Sequence, residues 1–266
     1  GLSRGLKRRF SGSGEFEDDD NRYEGEQTVA SFFPIVWRCD VRPIAIVGAG
    51  MMGNVHARSY RTIDETSPLS IVDPVGSRAK VISDKYRAIA ASFDEILADD
   101  EIEIVDICTP TFTHRDLVVR ALEAGKHVFC EKPVALKIED AVAMDKAAKK
   151  SGRVLMVGHV VRFFPQYIKV RELASSGDVG EIVMARLYRG GSFPSHGIDN
   201  WFADITKSGG VFIDLSIHDF DFLRKLLGPV RTVEARSVEL SSTVKKPSFD
   251  YGMAILRFES GALAHR

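Results

Sequence analysis

The sequence contains few cysteines, and their arrangement indicates neither disulfide bonds nor a metal site. Cys39, Cys108 and Cys130 are an odd number, and they form no CxxC pair or Cys/His cluster with the spacing of a zinc site. This scarcity excludes a disulfide-stapled scaffold and predicts no bound metal. It favours a reducing, cytoplasmic compartment.

Long hydrophobic runs and a charge of one sign are also missing. No apolar stretch approaches the roughly 20 residues needed to span a bilayer, and the formal net charge is −1. We therefore expect no membrane span and no electrostatically driven binding of nucleic acid. The 266 residues are 44% hydrophobic and 27% charged, proportions that suit a globular protein of one large or two modest domains.

The beginning and the end of the sequence differ from the rest. Residues 1–14 are basic and rich in Ser and Gly, and residues 15–26 are strongly acidic. We predict that residues 1–42 form a disordered leader, with the remnant of an organelle-targeting segment as the alternative. The chain stops at Arg266 inside a predicted strand, so we expect further sequence to complete the second domain.

Residues 43–160 alternate between apolar runs and helical segments. The predicted strands cover 43–47, 68–72, 102–107, 126–130 and 153–157, and the predicted helices cover 52–62, 76–90, 93–98, 115–124 and 138–150. Such alternation is typical of an α/β domain, in which helices cover both faces of a doubly wound parallel sheet.

The pattern changes after residue 160. Helices are predicted over 166–175 and 212–227, and strand-like segments over 182–189, 230–240, 251–258 and from 261. This order predicts an α+β substrate domain over 161–266, with an open sheet that has helices on one face.

A glycine-rich turn follows the first predicted strand. Its sequence is Gly-Ala-Gly-Met-Met-Gly, so Gly48, Gly50 and Gly53 match GxGxxG between a strand and a helix. In that context the first glycine permits a tight turn, the second lets the backbone approach a pyrophosphate, and the third allows close packing of helix and strand. The turn predicts a dinucleotide site in a Rossmann domain over 43–160, with Met51 and Met52 at the helix N-terminus.

The second predicted strand ends at Asp73, 20 residues after Gly53. A carboxylate at this place accepts hydrogen bonds from the adenosine ribose and repels a 2′-phosphate. We therefore expect NAD rather than NADP, although Arg78 lies near enough in sequence to weaken that preference.

Three polar residues later in the chain suit the oxidation of an alcohol. Asp214 and His218 are four apart and would share one face of a continuous helix. Histidine titrates near neutrality and suits a general base, and Lys132 can stabilise a developing alkoxide. Taken singly, the three residues are equally compatible with a helix cap, a core histidine and an exposed lysine.

These motifs together resemble the glucose-fructose oxidoreductase/inositol dehydrogenase/MocA family over residues 43–266. The resemblance rests on GxGxxG with Asp73, on Thr109-Pro110 with His114, on Glu131-Lys132-Pro133, and on residues 209–219, which match GGxxxDxxxHD. It implies an NAD(P)-dependent oxidoreductase that acts on a secondary alcohol of a sugar, a sugar derivative or a cyclitol. It further implies assembly as a dimer or tetramer through the open sheet.

The resemblance also implies roles for individual residues. Lys132, Asp214 and His218 would be catalytic and would also bind substrate, with His218 as general acid/base. Thr109, Pro110, His114, Glu131 and Lys132 would border the cofactor, and the Lys132-Pro133 bond would be cis.

Several further residues keep two interpretations at this stage. Arg162 either faces the substrate or forms an interdomain ion pair, and Trp201 either lines the pocket or belongs to the core. His196 lies in a loop that is predicted to be exposed. Asp219 and Asp221 are interpreted as residues that cap or solvate the helix.

Two rival functions stay open beside the dehydrogenase. The first is a hydrolase or lyase that uses bound NAD without net redox change. The second is a non-catalytic NAD-binding regulatory protein, which the intact Lys132, Asp214 and His218 disfavour.

Overall fold

The structure is a computed structural model, and it describes residues 42–63, 69–194, 197–239 and 250–266. The predicted leader apart from Arg42 lies outside these residues, and so does His196; Cys39 is in the part of the leader that is not described.

The first half of the described chain contains a six-stranded sheet. Every neighbouring pair is parallel, and the strand order is 3-2-1-4-5-6. The strands are β1 (Ile44–Val47), β2 (Leu69–Val72), β3 (Ile89–Ala90), β4 (Ile104–Ile107), β5 (His127–Glu131) and β6 (Leu155–Gly158). Strand order reverses between β1 and β4, which opens a crevice at the carboxyl ends of these strands. The prediction of a doubly wound parallel sheet is confirmed.

Helices cover both faces of this sheet. They are α1 (Met51–Ile63), α2 (Gly76–Tyr86), α3 (Phe93–Ala98), α4 (His114–Glu123) and α5 (Ile138–Ser151). Strand β1 shows the division, since Ile44 and Ile46 pack with one buried cluster and Ala45 and Val47 with the other. A strand that is buried on both faces reads as a continuous apolar run, which explains the sequence of β1.

The second half contains a four-stranded mixed sheet with helices. The sheet has the order β7-β10-β9-β8, with β10 parallel to β7 and antiparallel to β9. The elements are α6 (Pro165–Ser176), β7 (Met184–Arg186), α7 (Ile205–Ser208), α8 (Gly210–Asp214), α9 (Ile217–Leu227), β8 (Val230–Val238), β9 (Tyr251–Phe258) and β10 (Leu263–His265).

One face of the second sheet is covered and the other is open. Ala254, Leu256 and Phe258 of β9 are buried in a cluster with Leu223 and Leu227 of α9. The alternate residues of the same strand are exposed, namely Tyr251, Met253 and Ile255. This alternation confirms the predicted α+β arrangement with an open sheet. Among the described residues, no helix is both long and apolar enough to cross a bilayer.

Two predicted helices are wrong in extent. The helix expected over 76–90 ends at Tyr86, because Arg87 adopts a left-handed φ of 51° and the chain then pairs as β3. The helix expected over 212–227 is divided into α8 and α9 at Leu215 and Ser216. Asp214 and His218 therefore lie on consecutive helices rather than on one.

Asp219 corrects another expectation. Its side chain is 2% exposed, so it does not solvate the helix. The carboxylate accepts hydrogen bonds from Arg189 Nη2 at 2.8 Å and from Arg266 Nε at 3.1 Å. Asp219 thus ties the start of α9 to the segment after β7 and to the end of β10.

The Asp219 pairing predicts a large stability difference between two aspartate substitutions. Asp219→Asn removes the charge that two largely buried guanidinium groups face, so we expect a loss of about 3–5 kcal/mol in the free energy of unfolding. Asp145→Asn is the matched control, because Asp145 pairs with Lys149 on an exposed helix surface and contributes little. Urea titrations of both variants measure the difference, and equal midpoints would contradict it.

Candidate active site

The glycine turn has the backbone geometry that a dinucleotide needs. Gly48 has a φ of +110°, and a Cβ there would lie 2.8 Å from the Cys108 carbonyl oxygen. A Cβ on Gly53 would lie 1.9 Å from the Gly48 carbonyl oxygen, so helix α1 packs directly on the turn. A Cβ on Gly50 would meet no atom within 4 Å. The turn is closed where it packs on the protein and open at Gly50, where a pyrophosphate would approach.

Helix α1 contributes its N-terminus to the same place. It begins at Met51, which is 55% exposed, and it continues for 13 residues. The free N–H groups and the partial positive charge of its first turn favour an anion. The residues present therefore fit a dinucleotide with its phosphates above Gly50 and the adjoining helix end.

Asp73 stabilises the glycine turn as well as ending β2. Its Oδ2 accepts a hydrogen bond from Ala49 N at 2.9 Å, and its Oδ1 accepts one from Val75 N at 2.8 Å. Each carboxylate oxygen can accept a further hydrogen bond. Asp73 is therefore anchored by backbone groups and retains acceptor capacity for ribose hydroxyls.

Lys132 and Asp214 meet although they are 82 residues apart. Lys132 Nζ donates to Asp214 Oδ1 at 3.1 Å and to the Asp214 backbone oxygen at 2.8 Å. Both side chains are 20% exposed. The pair joins the end of the parallel sheet to helix α8, and it remains accessible to a small molecule.

His218 lies near this pair, and one of its ring nitrogens makes no hydrogen bond to a described residue. Its Nδ1 is buried and has no hydrogen-bond partner in the part of the chain that the structure describes. Burial, followed by the positive charges of Lys132 and Arg189 and by His159, lowers the pKa of His218 to about 4. The imidazole is therefore neutral at physiological pH, the form that accepts a proton. Its pKa lies below the near-neutral value that the sequence led us to expect, so it is a weaker base than a free histidine.

Two loops at the carboxyl ends of β4 and β5 are joined by His114. This residue is 1% exposed, and its two ring nitrogens lie 2.9 Å from the Thr109 carbonyl oxygen and 3.0 Å from the Pro133 carbonyl oxygen. Burial leaves the imidazole no surface for a cofactor. Its position supports a bracing role between Thr109-Pro110 and Lys132-Pro133, and the latter peptide bond is cis.

Arg162 and Asp221 form an ion pair beside the site. Arg162 Nε donates to Asp221 Oδ2 at 2.7 Å, and a second guanidinium nitrogen contacts the other oxygen. Asp221 was expected to cap or solvate the helix, and instead it holds Arg162. Because the Arg162 side chain is 37% exposed, it keeps donors that face outward.

The sequence motifs assign no role to His159, yet the structure places it within this group. His159 follows β6, and its Nδ1 lies 3.9 Å from Asp221 Oδ2. Burial lowers its pKa, so it is a second neutral imidazole near His218. The signal that was available is its place directly after a strand of the parallel sheet, where site residues gather.

A cavity of about 870 Å³ reaches Asp214 from the side of the second domain. Its wall includes Asp214 and Leu215, the segment after β7 and the start of β9. Lys132 and His218 are not part of this wall, so Asp214 is the only one of the three predicted catalytic residues that lines it. Trp201 also stays outside it and stacks on Phe202 at 4.0 Å between ring centroids.

Comparison with known proteins decides the family. Residues 42–159 match the model described as "Oxidoreductase family, NAD-binding Rossmann fold", and residues 167–265 match the GFO/IDH/MocA C-terminal domain. The chain belongs to this family. The resemblance stated from the motifs is confirmed, and so is the expectation of NAD as the family's cofactor.

Individual relatives differ in chemistry. Inositol 2-dehydrogenase of Rhizobium meliloti is 35% identical, over 82% of this chain and 66% of its own length. The 2,7-anhydro-N-acetylneuraminate hydratase of Escherichia coli is 32% identical, over 82% of this chain and 59% of its own length. The crystal structure of levoglucosan dehydrogenase with NADH and levoglucosan has a TM-score of 0.74 at 25% identity, and the match covers 84% of this chain and 65% of that one. The chain thus spans about two thirds or less of these relatives.

The position of Lys132 predicts a measurable change at His218. After burial, the charge of Lys132 is the largest cause of the low pKa of His218. Lys132→Met removes that charge, so the pKa of His218 rises from about 4 toward its ordinary value. Lys132→Arg, which keeps the charge, is the matched control and leaves the pKa low. NMR titration of the His218 ring protons measures both variants, and an identical pKa in Lys132→Met and the unaltered chain would refute the electrostatic link.

Proposed function

We propose that this chain is the coenzyme-binding half and part of the substrate half of an NAD-dependent dehydrogenase. It would transfer hydride between nicotinamide and a secondary alcohol of a sugar, a sugar derivative or a cyclitol. The observation that carries the proposal is the contact between Lys132 and Asp214. It lies beside the neutral His218. It also lies at the carboxyl edge of the parallel sheet, the edge at which the glycine turn follows β1.

Each of the three residues has a distinct task in this proposal. His218 accepts the proton of the substrate hydroxyl, which its neutral state allows. The Lys132 ammonium donates to the same oxygen and stabilises its developing negative charge. Asp214 holds the ammonium in place and can accept a hydrogen bond from a neighbouring substrate hydroxyl. Bound NAD supplies the hydride acceptor for oxidation of the alcohol.

Other residues assist by positioning. Asp73 reads the adenosine ribose from its anchored carboxylate, and this favours NAD over NADP. Thr109, Pro110 and Glu131 border the nicotinamide end of the cofactor. Arg162 presents its outward-facing donors to substrate hydroxyls while Asp221 fixes the direction of its guanidinium.

A second candidate is a reaction without net redox change. The similarity to a hydratase supports it, because the same residues could add or remove water while bound NAD is used transiently. The two candidates predict different products: the dehydrogenase releases NADH in proportion to substrate, and the second reaction does not.

The coenzyme preference predicts the outcome of one substitution. Asp73→Ser removes the carboxylate that would repel a 2′-phosphate, so we expect the ratio of NADPH affinity to NADH affinity to rise by at least roughly tenfold. Asp84→Ser, an exposed position on α2 that pairs with Lys80, is the control. Fluorescence titration with both coenzymes measures the ratio, and an unchanged ratio would show that Asp73 does not read the ribose.

Turnover itself tests the dehydrogenase. Inositols, aldoses and sugar nucleotides are screened with NAD for NADH formation at 340 nm, a wavelength set by the coenzyme. Lys132→Met should lower kcat by about 10²–10³-fold and leave NADH binding nearly intact, whereas the exposed Lys137→Met should not change kcat. Product formation without NADH would favour the hydratase-like reaction, and an active Lys132→Met would remove Lys132 from the mechanism.

A further inference from the structure

A group of largely buried polar side chains lies next to Lys132, and only its Glu131 has a place in the mechanism above. We call it the acid–histidine cluster, and it consists of His56 and Tyr60 on α1, Asp106 and Cys108 at β4, and Glu131 at the end of β5. The side chains of His56, Asp106 and Glu131 are 13%, 0% and 8% exposed. Charged groups at this depth need partners, so their pairing is the first point to establish.

His56 lies between two carboxylates. Its Nδ1 is 2.8 Å from Asp106 Oδ2, and its Nε2 is 3.1 Å from Glu131 Oε1. A neutral imidazole can donate from only one of its nitrogens, whereas an imidazolium donates from both. Nδ1 is hydrogen-bonded to Asp106, whereas the contact at Nε2 is an ion pair, since Glu131 Oε1 has no hydrogen-bond partner among the described residues. The ring thus lies between two negative charges, which favours its doubly protonated form.

The electrostatics agree with this geometry. Burial disfavours the charged ring, but the hydrogen bond to Asp106 and the ion pair with Glu131 outweigh it and raise the pKa of His56 to about 10. The same imidazolium and the Lys132 backbone N–H hold the pKa of Glu131 below its ordinary value despite burial. His56 is thus a fixed positive charge at physiological pH, so it is not a proton carrier during turnover.

Glu131 connects this charge to the proposed active site. While Oε1 faces His56, Oε2 accepts a hydrogen bond from the backbone N of Lys132 at 3.1 Å. The side chain of Lys132 then reaches Asp214. A Cβ on Gly158 of β6 would lie 3.3 Å from Glu131 Oε1, so the glycine lets the neighbouring strand pass close to the carboxylate.

The remaining members of the cluster include a thiol beside the imidazole and Asp106. His56 Nδ1, an Asp106 oxygen and Cys108 Sγ lie within 4.8 Å of one another, a grouping that the sequence spacing did not indicate. Burial, then Asp106 and Glu131, raise the pKa of the Cys108 thiol, so it stays protonated. A metal ion at these three groups would have to displace the protons of the thiol and the imidazolium.

We propose that His56 is a positioning residue, whose buried imidazolium fixes the Glu131 carboxylate and through it the backbone of Lys132. The inference rests on the proposed function, because it assigns His56 to the placement of the lysine that the proposal makes catalytic. Without the imidazolium, two buried carboxylates would face each other, and their repulsion would displace Glu131 or protonate one of the two.

The test compares two substitutions inside the same cluster. His56→Asn removes the charge and the contact with Glu131. Tyr60→Phe is the matched control, because the Tyr60 hydroxyl donates to Asp106 Oδ2 at 2.8 Å and does not touch Glu131. We expect His56→Asn to lower kcat by about 10–100-fold, as a misplaced catalytic group does, with KM for NAD changed less than about threefold. Tyr60→Phe should lower Tm and leave kcat within about twofold.

A second substitution tests the charge itself. Adding Asp106→Asn to His56→Asn removes the repulsion between the carboxylates, so we expect the double variant to recover part of the lost kcat. Such recovery is a coupling that independent structural damage would not produce. If His56→Asn and Tyr60→Phe lower Tm by the same amount and neither changes kcat, the proposal is wrong and the cluster serves stability alone.

A readout without turnover separates this inference from the proposed function. Hydrogen exchange of the Lys132 backbone amide, followed by NMR, reports its bond to Glu131. We expect exchange to accelerate by more than about tenfold in His56→Asn and to stay unchanged in Tyr60→Phe. If the unaltered chain oxidises no polyol, the proposed function fails, and this exchange still decides whether His56 positions Lys132. Unchanged exchange in His56→Asn overturns the inference.

Discussion

The arrangement of the site depends on the ion pair between Lys132 and Asp214, which joins two segments that are 82 residues apart. Lys132 is held at the end of β5 by the parallel sheet, and Asp214 is held at the end of the short helix α8 by the second domain. Neither partner is free to search for the other, since both backbones are fixed by their own elements. The site therefore requires that the cores on both sides of the contact, around the parallel sheet and under the mixed sheet, are folded.

Charge around this pair is arranged in two layers with opposite effects on histidine. Near the surface, Lys132 and Arg189 surround His218 with positive charge, and together with burial they keep its ring neutral. Beneath the surface, Asp106 and Glu131 surround His56 with negative charge and keep its ring protonated. Burial lowers the pKa of both histidines. Their neighbours decide the outcome, because the two carboxylates raise the pKa of His56 above its ordinary value and the cations lower that of His218 further.

The sequence predicted the features that depend on neighbours along the chain. The strand–glycine–helix order located the turn, and periodicity located the parallel sheet and the open sheet. It did not predict the break between α8 and α9, because Leu215 and Ser216 contain no glycine or proline that would mark it. The pairing of Asp219 with Arg266 was equally hidden, since the two residues are 47 positions apart. In such cases the partner is chosen by tertiary packing, about which local pattern carries no information.

The His56 site shows that one further signal was present. Asp106 stands in the middle of the apolar strand Ile-Val-Asp-Ile, where a carboxylate is 0% exposed and must have a partner. A histidine three residues after the last glycine of GxGxxG is the nearest candidate once β1 and β4 are known to be neighbours. The pairing of β1 with β4 is part of the strand order 3-2-1-4-5-6. The glycine motif implies this order, whereas the residues of β4 alone do not.

The burial of Asp106, His56 and Glu131 in one cluster also has a consequence for how the protein can change over evolutionary time. Their charges sum to −1 in a largely buried region, so this sum is constrained more strongly than any one residue. If Glu131 were replaced by a neutral amide, His56 would lose one of the two charges that keep its ring doubly protonated. Substitution of the histidine would then be tolerated more easily. Positions 56, 106 and 131 should therefore change as a set, and an isolated substitution at one of them should be rare among functional descendants.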